Sequence, residues 1–415
     1  MVSNMESLQD KLKSLGVLIG ASPITPNPRS ERNKIEDVLG GEEFSTVYGN
    51  IFITYNDYPP EYQHGKISID RKVNPNILAA YTHLNDSAPI PIDKVAFLDT
   101  ETNGLSGGTG TLVFLVGIGF FTEKGFHLTQ VFLRTPGEEQ AFLSVLEQII
   151  SPFELLVTYN GKSFDIPLLN TRHSLNFFPS PFQSLQHMDL LHLARQVWKI
   201  RLSSRSLSNL EHEIIQFHRT QEEIPGWLVP SIYIDYLQNG NAQPLTGVFY
   251  HNAMDILSLA AIFCHLTELV SNPFNQVENN LDFVSIAYIN ESKGEIDQAI
   301  SLYIQALARD IPDNTAQWAS HRLANIYKRN GDWQSAIEYW TKAADNDHLE
   351  SCIELAKYYE HYALNITKAI QWAEKALLLH TSSESKNYRK SLSNPSVLIH
   401  RIERLQKKRD WTRSK

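Results

Sequence analysis

The chain has 415 residues, 42% of them hydrophobic and 20% charged, and carries a formal net charge of −9. This composition excludes fibrous and wholly disordered proteins, the length predicts two or three domains, and the negative charge means that the molecule as a whole does not attract nucleic acid. The two cysteines, Cys264 and Cys352, are too few for a disulfide scaffold or a cysteine-based zinc site.

No uninterrupted apolar run reaches the length of a membrane span. The longest apolar run, residues 112–121, has 10 residues, whereas a helix that crosses a membrane needs about 20. Residues 1–16 are polar and amphipathic and lack the apolar core of a signal peptide. We therefore expect a cytoplasmic protein without a membrane partner.

Residues 1–90 form a first region of unclear fold. Residues 5–15 have the apolar spacing of a helix that Gly16 ends, and residues 47–55 alternate as a strand does. The remainder is rich in proline, asparagine and glycine and carries no recognisable chemistry. We expect this region to pack on the domain that follows rather than to fold alone.

Residues 91–272 have the pattern of an α/β domain. The predicted elements are strands at 95–102, 112–121 and 126–133, a helix at 138–150, a strand at 155–159 and a late helix at 252–269. A hairpin with a third strand, then a helix and a further strand, is the order of a ribonuclease-H-like fold. We therefore predict a mixed five-stranded sheet flanked by helices.

From about residue 281 the chain has the pattern of successive helices with an internal repeat. Small and large residues recur with similar spacing, and Ala299, Ala336 and Ala369 are 37 and 33 residues apart. This pattern resembles tetratricopeptide repeats, whose period is about 34 residues. We predict an all-α repeat domain at residues 281–380 that docks a protein partner. The alternative is a generic helical bundle with alanine at close contacts.

Two basic stretches stand out in an otherwise acidic chain. The predicted basic tail, residues 381–415, carries ten Lys or Arg and two Asp or Glu from residue 386 onward. Its cations can contact nucleic acid or lie on a solvated final helix. Residues 195–205 hold four cations around Trp198, which can stack a base or lie in the core.

Asp99 and Glu101 end an apolar strand. Side chains two apart on a strand share a face, so the two carboxylates project together. Carboxylates held this close repel each other unless a cation lies between them, and Mg²⁺ and Mn²⁺ take oxygen ligands of this kind. Taken alone, the pair also fits two surface acids at a strand end.

Two later segments make the pattern specific. A strand ends in residues 159–165, Tyr-Asn-Gly-Lys-Ser-Phe-Asp, and an apolar helix begins with residues 250–255, Tyr-His-Asn-Ala-Met-Asp. Together with Asp99 and Glu101 they resemble the three motifs of the DEDD 3′-to-5′ exonuclease superfamily. Residues 97–111 look like its bacterial YprB-like branch, a ribonuclease-H-like domain usually found with tetratricopeptide repeats.

The resemblance implies the chemistry of the site. It assigns the binding of two divalent ions, Mg²⁺ or Mn²⁺, to four carboxylates, those of Asp99, Glu101, Asp165 and Asp255. In the superfamily one ion activates the attacking water and the other stabilises the leaving 3′ oxygen. The resemblance also implies that Thr102 and Leu105 contact the 3′-terminal nucleotide and that Asn160 braces the site or the substrate.

The general base departs from the pattern of the superfamily. The superfamily places His five residues, or Tyr four residues, before the last Asp, whereas this chain has Tyr250 five and His251 four residues before Asp255. Positions i and i+4 share a helix face, so His251 is favoured as the base. The alternative is that His251 caps the helix or orders Asp255 and that catalysis is weak or absent.

Two further features allow two interpretations each. The glycine-rich residues 106–110 either bring backbone amides to a phosphate or form a tight connector between strands. Asp189 is either an outer acid of the site or the cap of a strand end or helix.

The sequence therefore predicts a metal-dependent nuclease that hydrolyses phosphodiester bonds from a 3′ end. It leaves open DNA or RNA as the substrate, and exonuclease or structure-selective endonuclease as the activity. The alternative is a catalytically inert nucleic-acid-binding or scaffold protein that acts through its repeats. Because all three motifs lie within residues 91–270, we expect the active site to work without residues 281–415.

Overall fold

The computed structural model describes residues 34–82, 84, 88–104, 110–220, 223–381 and 395–413. The helix predicted at residues 5–15, Leu105 and residues 106–109 of the glycine-rich segment lie outside this part of the chain. The expectations that rest on them therefore stay predictions.

The described residues contain nine strands: β1 (Glu42–Thr46), β2 (Gly49–Tyr58), β3 (Tyr62–His64), β4 (Ile67–Ile69), β5 (Val95–Thr102), β6 (Val113–Thr122), β7 (Gly125–Phe132), β8 (Leu155–Thr158) and β9 (Gln186–Asp189). Seven of them form one sheet in the order β1-β2-β7-β6-β5-β8-β9, and β3 pairs with β4. Strands β5, β6 and β7 are antiparallel neighbours, whereas β8 runs parallel to β5 and β9 runs parallel to β8. These five strands are the mixed sheet that the sequence predicts.

The two additional strands come from the N-terminal region. Strand β2 pairs with β7, from Phe52 opposite Phe132 to Tyr58 opposite Phe126, and β1 pairs with β2 at the edge. The sheet therefore has seven strands instead of the predicted five. The physical reason is that β7 keeps a free edge in a five-stranded sheet, and the alternating segment predicted at residues 47–55 pairs with that edge.

Helices cover both faces of this sheet. Their bounds up to residue 276 are α1 (Ile35–Leu39), α2 (Pro75–Ala79), α3 (Glu139–Ile150), α4 (Asp165–Leu175), α5 (Leu190–Val197), α6 (Leu207–Leu210), α7 (Val229–Asn239), α8 (Leu245–Ser271) and α9 (Pro273–Gln276). Short 3₁₀ turns lie at Ile92–Lys94, Pro136–Glu138, Pro181–Gln183 and Gly226–Leu228, and a π-helical turn lies at Glu211–Ile215.

Alternate residues of β5 enter two different hydrophobic cores. Val95 and Phe97 lie in the core that contains α5 and most of α8, while Ala96 and Leu98 lie in the core that contains α3, α4 and α7. This alternation follows from the two-residue period of a strand, and it buries β5 on both faces. The backbone that leads to Asp99 is thereby fixed from both sides.

Helix α8 is the most buried helix beside the sheet. By length and composition its 27 residues could cross a membrane, but 78% of the relevant window is buried inside the fold. Burial of this extent is typical of the core helix of a globular domain. On β6, Gly117 and Gly119 let the helix approach, because a Cβ atom at either position would lie within 3.0 Å of the Ile256 side chain.

The C-terminal part consists of antiparallel helix pairs, which confirms the predicted repeat domain. The pairs are α10 (Asn280–Lys293) with α11 (Ile296–Leu307), α12 (Asp313–Arg329) with α13 (Trp333–Asp345), and α14 (Leu349–His361) with α15 (Ile366–Thr381). The recurring alanines Ala299, Ala336 and Ala369 are fully buried. They allow the close helix approach that the repeat pattern predicts.

The basic C-terminal segment contains a packed helix, α16 (Pro395–Arg413). Leu398, Ile402 and Leu405 are buried against the last repeat. Arg401 and Arg404 both pair with the buried carboxylate of Glu360. Two of the cations that could contact nucleic acid are therefore ion-paired to the repeat array, although Arg404 stays half exposed.

Candidate active site

Asp99 and Glu101 stand where β5 leaves the hydrophobic core. The four residues before them are buried, and β5 becomes partly exposed at Asp99. Asp99 lies opposite Gly117 of β6, and the register shifts between Glu101 and Thr102. The two carboxylates thus share a sheet face at a point where the strand begins to depart from regular pairing.

Asp165 follows β8, the strand that pairs with β5, and contacts the strand that carries Asp99 and Glu101. It is the first residue of α4, after a turn in which Asn160 adopts a left-handed backbone conformation with φ of 64°. Asp189 pins this turn, because its carboxylate accepts hydrogen bonds from the backbone N–H groups of Asn160 and Lys162 at 2.8 and 3.1 Å. Thr100 of β5 donates to Asp165 Oδ1 at 2.5 Å.

Asp189 thus has both of the roles that the sequence offered as alternatives, a helix cap and an outer acid of the site. It caps α5 by accepting from the backbone N–H of Leu191 at 3.1 Å, and it also holds the turn that places Asp165. Its side chain is buried and both carboxylate oxygens accept hydrogen bonds, so Asp189 positions the turn and does not face the substrate.

Helix α8 supplies Asp255 and His251, one turn apart on one face. His251 Nε2 lies 3.4 Å from Asp255 Oδ2 and 3.9 Å from Glu101 Oε1. Among the described residues, ligand atoms of Glu101, His251 and Asp255 lie within 4.8 Å of one another, a spacing that one metal ion can bridge. His251 therefore lies on the helix face of Asp255, as the i, i+4 spacing requires, and its role as the base stays a prediction.

The electrostatics of the site favour a bound cation. Burial, followed by the charges of Asp255, Glu101 and Asp165, raises the pKa of Asp99 well above its usual range. Burial and the charges of Asp255 and Asp165 do the same to the pKa of Glu101. Burial raises the pKa of Asp165 to about 6. Oxygen ligands whose ionised forms repel one another at short range suit a hard divalent ion.

A layer of polar side chains behind the acids is not visible in the sequence pattern. Asn252 of α8 is completely buried and donates from Nδ2 to Asp99 Oδ2 at 2.9 Å. Gln130 of β7 donates in turn to Asn252 Oδ1 at 2.9 Å, and Thr54 of β2 donates to Gln130 Oε1 at 3.2 Å. This chain of hydrogen bonds connects the N-terminal strand β2 to the orientation of Asp99.

A second missed group lies on the other side of Asp255. The Arg219 guanidinium pairs with Asp255 Oδ1, with Glu211 at 2.5 Å and with Glu223 at 3.0 Å. Glu223 also contacts the histidine of the site, since its Oε1 lies 2.7 Å from His251 Nδ1. The only sequence signal is an acidic and histidine-rich segment, residues 211–223, without hydrophobic periodicity.

The residues expected to contact substrate are placed differently from one another. Thr102 is buried and its hydroxyl donates to the carbonyl of Gly104 at 2.8 Å, so it shapes the turn after β5. Asn160 is exposed, two residues after β8, and its backbone N–H donates to Asp189. Leu105 lies outside the described residues. The contacts of these three residues with a substrate stay predictions.

Tyr250 and Trp198 are engaged elsewhere. The Tyr250 hydroxyl accepts a hydrogen bond from the backbone N–H of Thr220 at 3.0 Å. Trp198 is completely buried and stacks on His265, which excludes the idea that it stacks a base. Arg201 of the same basic stretch pairs with Asp282 of α10 at 3.0 Å.

The comparisons with known proteins agree with this architecture. Residues 96–267 match the RNase_H superfamily, and residues 319–349 match a tetratricopeptide repeat. A solved family B DNA polymerase from the hyperthermophilic archaeon Pyrobaculum calidifontis matches 59% of this chain and 30% of its own, with 16% identity and a TM-score of 0.32. A likeness of that size carries no argument about this chain.

A relative in Bacillus subtilis (strain 168), Uncharacterized protein YprB, is much more similar. It is 31% identical over 333 residues, which are 77% of this chain and 79% of the relative. The match is long enough to take in both the α/β domain and part of the repeats. This chain, a ribonuclease H superfamily domain followed by tetratricopeptide repeats, therefore belongs to the same family as YprB.

Proposed function

We propose that this protein is a metal-dependent nuclease that hydrolyses phosphodiester bonds of DNA or RNA, in the 3′-to-5′ direction. The ribonuclease H superfamily domain supports a nuclease-type function. The observation that carries the proposal is that Asp99 and Glu101 of β5 lie near enough to Asp165 of α4 and Asp255 of α8 for these charges to raise the pKa of both.

These four carboxylates are the proposed ligands of two divalent ions, Mg²⁺ or Mn²⁺. The fit rests on the donor set, since all four groups are oxygen ligands and their mutual repulsion favours a compensating cation. Two such ions would supply a lowered pKa for the attacking water and positive charge near the phosphate oxygens.

The chain's own groups prepare this place for a phosphodiester. Asn252 and Thr100 fix the Asp99 and Asp165 carboxylates through hydrogen bonds of 2.9 and 2.5 Å. His251 Nε2 faces Glu101 and Asp255, where it can accept a proton from the attacking water. Fixed carboxylates lower the reorganisation that a transition state requires.

Contacts with the substrate are assigned by the same proposal. Thr102 and Leu105 would lie against the 3′-terminal nucleotide, and Asn160 would brace the site or the substrate. The C-terminal repeats would bind a protein partner, and the protein would act in the cytoplasm on nucleic acid. Asn160 is exposed and lies in the turn that leads to the buried Asp165, which supports an approach of substrate from that side.

The experiment is a cleavage assay on labelled single- and double-stranded DNA and RNA, with Mn²⁺ and with chelator. Product ladders from substrates labelled at either end report the direction of digestion, and the four substrates report the preferred sugar and strand form. The Asp99→Asn variant is the matched control, because its amide still accepts the hydrogen bond from Asn252. Absence of any Mn²⁺-dependent cleavage by the wild-type protein would refute the proposal.

A catalytically inert nucleic-acid-binding protein is the second candidate. It is favoured by the exchange of the Tyr and His positions at Tyr250 and His251. The same assay separates the two functions, since an inert protein would retard the labelled substrates in a gel without shortening them. Retardation without cleavage would therefore establish the second candidate.

A further inference from the structure

A buried arginine lies beside the proposed catalytic acids and has no role in the two-ion chemistry. The Arg219 side chain is 12% exposed, and its segment connects the π-helical turn at Glu211–Ile215 to the 3₁₀ turn at Gly226–Leu228. A guanidinium with so little exposure to solvent needs ion-pair and hydrogen-bond partners that offset the free-energy cost of its desolvation. Its contacts therefore indicate what the segment is built to hold.

Glu211 anchors the guanidinium from behind. Arg219 Nε and one terminal nitrogen donate to the two Glu211 oxygens at 2.9 and 2.5 Å, which is a bidentate pair. Ser258 donates to Glu211 Oε1 at 2.6 Å, and His64 Nε2 lies 2.8 Å from the Ser258 hydroxyl. This chain of contacts runs from β3 through α8 and fixes the arginine in one position.

The anchored guanidinium then holds Asp255. The same terminal nitrogen that contacts Glu211 also pairs with Asp255 Oδ1, and the other oxygen, Oδ2, faces His251. A carboxylate that is held at one oxygen keeps a fixed rotamer and presents the other oxygen. Arg219 therefore acts on the presentation of Asp255 rather than on the reacting atoms.

Glu223 holds His251 in the same way. Glu223 Oε1 lies 2.7 Å from His251 Nδ1, and Arg219 donates to that carboxylate oxygen at 3.0 Å. The donor-only Arg219 Nη1 also lies 3.2 Å from His251 Nδ1, but Glu223 Oε1 is closer and a carboxylate only accepts hydrogen bonds. The shorter contact therefore favours a proton on Nδ1, which leaves the free lone pair of a neutral ring on Nε2. Nε2 is the nitrogen that faces Glu101 and Asp255. This is the arrangement of a base oriented by a third group.

We infer that Arg219 and Glu223 are positioning residues of the active site: Arg219 fixes the Asp255 carboxylate, and Glu223 keeps His251 in the Nδ1–H tautomer. The inference rests on the proposed nuclease function, because it deepens the roles of Asp255 and His251. It assigns functions to two side chains that neither the superfamily motifs nor the hydrophobic pattern single out. Loss of either side chain is expected to keep the fold intact and to change the geometry of the active site.

The test uses the full chain and three variants. Arg219→Lys keeps the charge but loses the fork, Glu223→Gln keeps the size but loses the charge, and Arg172→Lys is the matched control. Arg172 is also 12% exposed and makes a bidentate pair with Glu139, at 2.5 and 2.6 Å, outside the site. Thermal melting by circular dichroism first shows whether each variant is folded like the wild-type protein.

Binding of Mn²⁺, measured by the electron paramagnetic resonance of the free ion, reports on Arg219. We expect Arg219→Lys to bind Mn²⁺ about 10- to 100-fold more weakly, the usual range for the loss of an outer partner of a metal ligand, and Arg172→Lys to bind as the wild type does. Equal affinity of Arg219→Lys and the wild-type protein would overturn the role of Arg219.

The ¹⁵N spectrum of the His251 ring, assigned with a His251→Gln variant and recorded at about pH 8, reports on Glu223. The wild-type ring should be in the Nδ1–H form, and Glu223→Gln should populate the other tautomer and lower kcat about 10- to 100-fold with little change in KM. A wild-type ring in the Nε2–H form would overturn the role of Glu223. If the wild-type protein cleaves nothing, the nuclease proposal fails, and the Mn²⁺ affinity and the tautomer still decide the two positions.

Discussion

The ionised carboxylate of Asp99 is held in a place where burial and neighbouring charges destabilise it. Burial and the charges of Asp255, Glu101 and Asp165 all disfavour its ionised form, and Asn252 supplies the hydrogen bond that favours it. In a metal-free protein this repulsion acts against folding at neutral pH. The same repulsion becomes an attraction for a divalent ion once one is bound.

The Asp99→Asn variant should therefore melt a few degrees higher than the wild-type protein in chelator at about pH 8. The substitution removes one of the repelling charges and keeps an acceptor for Asn252. Added Mn²⁺ should raise the melting temperature of the wild type and raise that of the variant much less. Glu123→Gln, in the exposed turn between β6 and β7, is the control and should change neither.

The pH dependence of this difference follows from the direction of the pKa shifts. The folded pKa values of Asp99 and Asp165 lie above those of the unfolded chain, and that of Asp165 is about 6. Such groups contribute their stability below about pH 4 and lose it as the pH rises through the folded pKa. The advantage of Asp99→Asn should thus disappear as the pH falls to about 4. An advantage that grows on acidification would contradict the sign.

His251 and Tyr250 provide a second prediction at the scale of single residues. We expect His251→Ala to lower the cleavage rate about a hundredfold or more, the usual effect of losing a general base, and to leave Mn²⁺ affinity nearly unchanged. Tyr250→Phe should change the rate little, because the Tyr250 hydroxyl is bonded to the Thr220 backbone. Initial rates and Mn²⁺ titrations measure both. Greater damage from Tyr250→Phe would identify the tyrosine as the base.

The proposed ligands were assigned through the motif resemblance, and periodicity predicts a direction only for those that lie on regular elements. Asp99 follows an apolar strand and Asp255 lies on an apolar helix, so periodicity fixes their faces. Arg219 and Glu223 lie between two short turns, where no period relates sequence position to direction. Their approach to α8 depends on long-range packing, which one sequence does not encode as a local pattern.

At the scale of elements, the distance between β6 and α8 decides whether the site can form. Gly117 lies directly opposite Asp99 in the sheet, and a Cβ atom there would lie 2.3 Å from Asn252 Oδ1 and 3.0 Å from Ile256 Cγ1. The absent side chain leaves the space through which Asn252 reaches Asp99. The sequence shows two glycines in an apolar strand, but not which helix they face.

Gly117→Ala should accordingly weaken both the fold and the site. Overpacking of this kind costs about 1–3 kcal/mol, which lowers the melting temperature by several degrees, and displacement of Asn252 should weaken Mn²⁺ binding. Gly137→Ala is the matched control, because its nearest neighbour would be Thr135 Oγ1 at 3.8 Å. Melting curves and Mn²⁺ titrations measure both effects. If Gly117→Ala and Gly137→Ala had the same melting temperature and the same Mn²⁺ affinity, the role of Gly117 would be refuted.

The sheet itself was predictable in its centre and not at its edge. Strands β5, β6 and β7 fall within one residue of the predicted boundaries, because continuous apolar runs mark strands that are buried on both faces. Strand β2 was recognised only as an alternating segment, and nothing local indicates that its partner is β7. Pairing between residues about 75 positions apart is a property of the fold rather than of the segment.

At the scale of the whole molecule, the α/β domain and the first repeat share one hydrophobic core. Leu266 and Leu269 of α8 belong to the same cluster of buried side chains as Phe283 and Ile286 of α10. Arg201 also crosses this boundary to Asp282. The expectation that the active site works without residues 281–415 therefore meets a physical objection, because a cut before α10 removes buried side chains of this shared core.

Two truncated chains test this objection. Residues 1–345 retain α10 to α13 and the shared core, so this chain should fold and bind Mn²⁺ as the full protein does. Residues 1–279 lose Phe283 and Ile286, each of which is fully buried, and burial of such a side chain stabilises by about 1.5–3 kcal/mol. The shorter chain should melt about 10 °C or more below the longer one and bind Mn²⁺ more weakly, since α8 carries Asp255. Equal melting temperatures and equal Mn²⁺ affinities of the two chains would instead show that the repeats begin a separate folding unit at α10.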